Sequence, residues 1–302
     1  MLSAEQSNGT EQPPLTRDRL IRLERWLLYA AAFQPKVTAK TASLVSGTDD
    51  AILCTREEWQ RLLMESPNTV LLSGNNFGEY VLLPTAIMGN VRKLELRCCN
   101  MTYVPDSIGR LTHLTHLCLP TNQLESLPDS IGRLTNLTCL FLYNNQLTSL
   151  PDTIGRLTNL IHLDLRDNQL TNLPDSIGRL TSLTHLDLSS NQLTNLPDTF
   201  GHLQSLTYID LAVNKLSSLP DSIGRLASLT KLHLSDNQLT SLPDTIGKLI
   251  NLSDLWIDSN NLTSLPDTIV QLRNLIYWNM DRQLYAIINW SRYPGMRVPR
   301  WI

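Results

Sequence analysis

The sequence predicts an α/β solenoid: stacked units sharing one parallel sheet on the concave side of a horseshoe, with a helical cap at the N-terminal end. Three columns of residues predict it. Leu111, Leu134, Leu157, Leu180, Leu203, Leu226, Leu249 and Leu272 follow one another at a spacing of 23 residues. Pro105, Pro128, Pro151, Pro174, Pro197, Pro220, Pro243 and Pro266 repeat in step, and so do Asn122, Asn145, Asn168, Asn191, Asn214, Asn237 and Asn260. Self-similarity at such a period marks stacked supersecondary units, each burying its apolar side against its neighbours.

Within a unit, Leu117-Cys118-Leu119 alternates with period two, so the leucines point to the core and the side chain between them to the other face of a short strand. The Asn after the strand has an amide suited to the backbone groups a bend leaves unpaired, so a column of Asn becomes a ladder. Pro128 ends the strand, Asp129 or Ser130 is expected to cap a short helical turn, and Ile131 with Leu134 returns to the core. Gly132 reads as a turn glycine repeated with the unit. A helical turn is wider than a strand, so stacking curves the sheet inward.

The full unit, Leu114-x-x-Leu117-x-Leu119-x-x-Asn122-x-Leu124-x-x-Leu127-Pro128-Asp129-Ser130-Ile131-Gly132, resembles the leucine-rich-repeat family. It is most similar to the 23-residue intracellular and bacterial class with a Leu-Pro-x-x-Ile step, found in repeat-only scaffolds and in effectors of intracellular bacteria. The resemblance runs from about Val70 to Ile288. It implies a non-catalytic scaffold or regulator holding a protein partner on the concave face, and a delivered effector if the source lives in a host. The chain departs from the pattern where Cys99 and Gln283 replace the ladder Asn and Asn289 replaces the Pro. The ligase effectors have 20-residue repeats and a large catalytic domain, and neither feature is present.

The expected organisation is a flexible start over 1–16, a helical cap region over 17–69, the solenoid over 70–288 and a C-terminal cap over 289–302. Asp18 to Phe33 favours helix, and Thr55-Arg56-Glu57-Glu58 is a capping box opening a second one. Apolar residues crowd the tail, Trp290, Tyr293, Val298, Trp301 and Ile302 among them.

A formal net charge of -3 gives no sequence-wide basic field for nucleic acid. The start lacks the layout of a secretory signal, and the longest apolar run, Trp26 to Phe33, falls far short of the roughly 20 residues a membrane span needs. Five cysteines, an odd number, suit a reducing compartment. These features predict a cytoplasmic monomer that does not insert into membranes. On the convex side an Asp column from Asp106 to Asp267 is followed four residues later by Arg or Lys, a self-neutralising solvated face.

The strand residues between leucines form two inward columns. Phe141, Asp164, Asp187, Asp210, His233 and Trp256 stand in one, and His162, His185, Tyr208, Lys231, Asp254 and Tyr277 in the other. Tyr143 and Arg166 follow just after the strands. These residues are the expected partner-binding set: aromatics of the type that dominates interface energy, set among acids. Three stacked aspartates repel one another unless a cation or a basic partner covers them, which points to a protein with a basic or mixed-charge surface. The competing explanation is drift of the repeat consensus. His116, Cys118, Cys139 and His162 also fall on adjacent strands, so the alternative function is a metal- or small-ligand-binding solenoid using His, Cys and Asp. No phosphate loop, enclosed pocket or oxyanion donor is legible, so no catalytic residue and no cofactor is expected.

Overall fold

The computed structural model describes residues 69–73 and 91–293, so the expected helical cap lies outside the described residues. Among them run ten strands: β1 (Thr69–Ser73), β2 (Lys93–Arg97), β3 (His116–Cys118), β4 (Cys139–Phe141), β5 (His162–Asp164), β6 (His185–Asp187), β7 (Tyr208–Asp210), β8 (Lys231–His233), β9 (Asp254–Trp256) and β10 (Tyr277–Asn279). They form one open parallel sheet in chain order. From β2 onward each pair is in register at the repeat spacing, as Leu163 opposite Leu186 and Leu186 opposite Ile209 show, while β1 pairs with β2 one residue off it, Thr69 opposite Lys93. In β3–β10 the central residue, leucine except for Ile209 and Trp278, is buried while its neighbours face the concave side, as period-two alternation requires.

The core is a continuous stack of these leucines with Ile131, Ile154, Ile177, Phe200, Ile223 and Ile246 from the convex side, all fully buried. Each such side chain contributes about 1.5 to 3 kcal/mol on burial. The convex segment is a five-residue 3-10 helix in each unit, from Asp106–Arg110 to Asp267–Gln271. The sequence predicts Asp129 or Ser130 as its cap, but Pro128 occupies that position and no side chain caps the turn. Ser130 instead turns inward, and its buried hydroxyl lacks a hydrogen-bond partner, as do those of Thr153, Ser176 and Thr199.

Gly132 is likewise not a turn glycine. A Cβ there would lie 2.5 Å from the carbonyl oxygen of Thr153 in the next unit, so the column is glycine because consecutive convex turns press backbone against backbone. The left-handed residues are elsewhere, directly before the ladder Asn: Thr121, Asn144, Asp167, Ser190, Val213, Asp236 and Ser259 all have φ between 54° and 57°. Asn, Asp and Ser tolerate this conformation; Val213 does so under strain.

The Asn ladder forms as the sequence predicts. Asn168 accepts from the Leu147 N–H at 3.0 Å and donates to the carbonyls of Leu142 and Leu165, each at 3.0 Å, binding its own unit to the preceding one. A second ladder follows the convex turns, where Asn136 and Asn159 donate to the carbonyls of Thr112 and Thr135. Beyond β10 the Asp281 carboxylate accepts from the Ser259 and Asn260 N–H groups at 2.9 and 3.3 Å. In earlier units a backbone carbonyl plays that part, as for Asn168 with Ser190. Helix α1 (Arg282–Ile287) then replaces the usual turn, and Trp290 packs against Tyr285 and Trp278 with ring centroids 4.7 and 6.0 Å apart.

The convex charges of the described residues are solvated and interleaved without forming ion pairs along the chain. Among the described residues no aspartate of that column closes to ion-pair distance with the Arg or Lys four positions on, and Asp267 pairs with Arg292 instead, at 2.8 Å. The tight 3-10 turn separates residues that an α-helix would bring together.

Candidate functional site

Parallel register turns the inner face into a grid two columns wide. Lys93, His116, Cys139, His162, His185, Tyr208, Lys231, Asp254 and Tyr277 stand in one column, and Glu95, Cys118, Phe141, Asp164, Asp187, Asp210, His233, Trp256 and Asn279 in the other. Both columns are as the sequence predicts. The positions after the strands divide into two classes that sequence alone pools. Tyr143, Arg166 and Asp258 extend the second column, while Asp167, Val213 and Asp236 belong to the left-handed turn.

Exposure is uneven across the grid. Tyr277 is 48% exposed, whereas Phe141, Tyr143, Tyr208 and Trp256 are half-buried against their neighbours. His162 and His233 are buried outright, at 8% and 4%. A continuous ring ladder explains this: His162 to His185 at 4.6 Å, His185 to Tyr208 at 6.0 Å, Tyr208 to His233 at 5.4 Å and His233 to Trp256 at 5.1 Å between centroids. The ladder changes column between β7 and β8, because Lys231 and not a ring follows Tyr208.

The aspartate column carries part of its own neutralisation, which revises the expectation that a partner must cover it. Arg166 lies 3.5 Å from Asp164 and 3.9 Å from Asp187, with its guanidinium 4.5 Å above the centre of the Tyr143 ring. On the other side of Tyr143, Arg97 donates to its hydroxyl at 3.3 Å and pairs with Glu95. Asp187 accepts from the backbone N–H and hydroxyl of Ser189 at 3.0 and 2.7 Å. Asp210 accepts from Ala212 N–H at 2.9 Å and Tyr208 hydroxyl at 3.1 Å, and lies 3.2 Å from His233 Nδ1. Asp254 accepts from the Trp256 indole N–H. The Arg97–Tyr143–Arg166 arrangement was missed in sequence because Arg97 lies two units from Tyr143 and Arg166 one, and only the fold brings the two guanidinium groups to one ring.

Electrostatics follow from this arrangement. Burial drives Asp164 well above the usual carboxylate range, the Asp187 charge adds to the effect, and Arg166 offsets only part of it. Burial and the neighbouring Asp210 push Asp187 up to about 6. For Asp210 burial acts in the same direction, but the hydrogen bond and charge of His233 outweigh it and hold the group below its ordinary value. His162 falls to about 4 through burial, then through His185 and His116, so it is neutral at physiological pH.

Burial raises Cys118 to about 12 and also lifts Cys139, which disfavours the thiolate a nucleophile requires at both positions. Among the described residues no three His, Cys, Asp or Glu side chains group so as to hold a metal ion, and no helix is long and apolar enough to cross a membrane.

Comparison with known proteins agrees with this architecture. A family profile described as "Leucine-rich repeat region" matches residues 85–168 and 153–237, and one described as "Leucine Rich Repeat" matches 228–249. Among solved structures, a leucine-rich-repeat protein of Leptospira interrogans is 37% identical with a TM-score of 0.68, over 75% of this chain and 57% of that one. The chain therefore spans little more than half the length of that relative. Internalin C2 of Listeria monocytogenes is 26% identical with a TM-score of 0.58, over 65% of this chain and 83% of its own. The repeat region of FLRT2, seen in an octameric complex with Latrophilin 3 and Unc5D, is 30% identical with a TM-score of 0.61, over 71% of this chain and 67% of that one. No curated protein sequence matches. Profile, repeat register and shared architecture together place the chain in the leucine-rich-repeat family.

Proposed function

We propose that this chain is a non-catalytic interaction module whose concave face holds a protein partner of basic or mixed-charge surface, and so directs or blocks that partner's activity. One observation carries the reading: half-buried rings and carboxylates form an unbroken grid across β5–β9, at electrostatic cost to the fold. Asp164, Asp187 and Asp210 also accept from backbone N–H groups two residues on, but stacking the charges raises Asp164 and Asp187, a cost that a basic partner relieves. The assembly in which FLRT2 is found supports a protein as the ligand. The contact set is Phe141, Tyr143, Asp164, Arg166, His185, Asp187, Tyr208, Asp210, Lys231, Asp254, Trp256 and Tyr277, with buried His162 and His233 as the floor that positions them.

A cytoplasmic setting is supported by Cys98, Cys118 and Cys139, which form no disulfide among the described residues. Likeness to proteins of Leptospira and Listeria supports a bacterial effector that acts as a monomer on a host protein. The test is affinity capture with the wild-type chain and with the double variant Trp256→Ala, Asp187→Lys, followed by identification of what is bound. A partner retained by the wild type should be lost from the variant. Equal recovery by the two rejects the inner face as the binding surface.

A further inference from the structure

We propose that the floor over β6–β9 reads arginine side chains of the partner, taking guanidinium in preference to ammonium. This rests on the inner-face function proposed above and goes further by naming the chemical group that is held.

Charge is the first ground. Over these strands Asp187, Asp210, Asp254 and Asp258 face Lys231, and Arg166, at 3.9 Å from Asp187, is shared with Asp164. A net negative field therefore remains after the chain's own ion pairs are formed. Each of these carboxylates already accepts within the chain: Asp187 from Ser189, Asp210 from Ala212 and Tyr208, Asp254 from the Trp256 indole N–H, and Asp258 from the Ser235 hydroxyl at 2.5 Å. A strongly hydrated ammonium must give up water for oxygens that are already shared, and so gains less here than a weakly hydrated guanidinium. A planar, weakly hydrated guanidinium needs a field and a flat surface to lie on.

The aromatic faces are the second ground. Tyr208, His233 and Trp256 are contiguous rings, with His233 edge-on to Tyr208 at 5.4 Å and tilted by 40° to Trp256 at 5.1 Å, so Tyr208 and Trp256 each offer a ring face of their own. The Asp210 carboxylate requires a donor, so Nδ1 of His233 carries the proton in that 3.2 Å contact. His233 Nε2 is then a buried polar atom without a hydrogen-bond partner, 4.0 Å from Asp254 Oδ1. A guanidinium lying on the Trp256 or Tyr208 face presents its N–H edge to the neighbouring Asp254 and Asp210 carboxylates, beside the unpartnered nitrogen. Arg166 on Tyr143 shows the same pairing made within the chain.

The experiment titrates the full-length chain with an alternating Arg-Ser peptide and with the Lys-Ser peptide of equal length and charge, by calorimetry at low and physiological salt. The arginine peptide should bind about tenfold more tightly, and Trp256→Leu should bring the ratio near one, while Asp254→Asn weakens both peptides. Tyr208→Leu, with circular dichroism on every variant, gives the same readout should Trp256→Leu fail to fold. Equal affinities in the wild type, or a preference that survives loss of the ring, overturn the proposal and leave only non-selective charge attraction. Binding of neither peptide also overturns it; capture of the partner and its loss in the double variant would then still stand, so the two proposals fail separately.

Discussion

Asp187→Asn tests what the inner face costs the fold. The carboxyl of Asp187 sits between Asp164 and Asp210 in the register of adjacent strands, with Arg166 as the one full cation near it, at 3.9 Å. Burial and Asp210 raise it from 3.8 to about 6, and at about 1.4 kcal/mol per pH unit the ionised side chain costs on the order of 2 to 3 kcal/mol at neutral pH. The sign follows from proton affinity. The folded chain holds this proton more tightly than the unfolded chain, so stability falls as pH rises from 3.8 to about 6 and is level above. His162 acts in the opposite direction: held down to about 4 from 6.5, it removes stability as pH falls through that interval. The difference between wild type and variant cancels the histidine and isolates Asp187. Asn keeps an oxygen for both Ser189 donors, so urea denaturation at about pH 7.5 should find the variant more stable by on the order of 2 kcal/mol, with the gap closing toward about pH 4. A variant no more stable than wild type at neutral pH, or a gap independent of pH, would refute the placement of an unfavourable charge. Stabilisation with loss of the captured partner would mark Asp187 as kept for binding.

Asn168→Ala strips a buried N–H and two carbonyls of their partners and should cost about 3 kcal/mol, split the unfolding transition, and exceed the loss from Asn260→Ala, which is less buried. Two unfolding curves of equal midpoint would contradict this. Gly178→Ala places a Cβ 2.3 Å from the Thr199 carbonyl oxygen, and a melting temperature within a degree or so of wild type would deny the close approach; a loss of about 2 kcal/mol or more is expected. Val213→Gly relieves a β-branched residue at φ 57° and should raise stability by about 1 kcal/mol, measured by the shift of the urea midpoint. Zinc titration of wild type and Cys139→Ser should give the same weak heat, because among the described residues no three potential ligands group together; a strong signal lost in the variant would restore the metal reading.

The solenoid was legible because its determinants are periodic. Leucine spacing fixed the strands, and the Asn column fixed the ladder now seen at Asn168. Column membership was legible for the same reason: parallel register at one repeat length leaves a single way to align His185 with Tyr208. What was not legible depends on distances across units. Sequence cannot show that Gly132 faces the backbone of Thr153, that the convex turn is 3-10 with no side-chain cap, or that Arg166 reaches two aspartates and an aromatic ring. Exposure was misjudged for His233 because its cover comes from Tyr208 and Trp256, each one repeat away.

The way each ladder amide spans units bears on how a companion is received. Since Asn191 ties Leu165, Leu188 and Leu170 together, and Asn214 continues the tie one step on, rotating any coil against its neighbour breaks several short bonds at once. The palm of the arc is therefore stiff before contact, and an incoming surface meets side chains already held in place. Little freedom is left to be lost on docking, so a modest number of contacts suffices for tight association. Changing a single palm residue should alter how long the complex lasts more than how fast it forms.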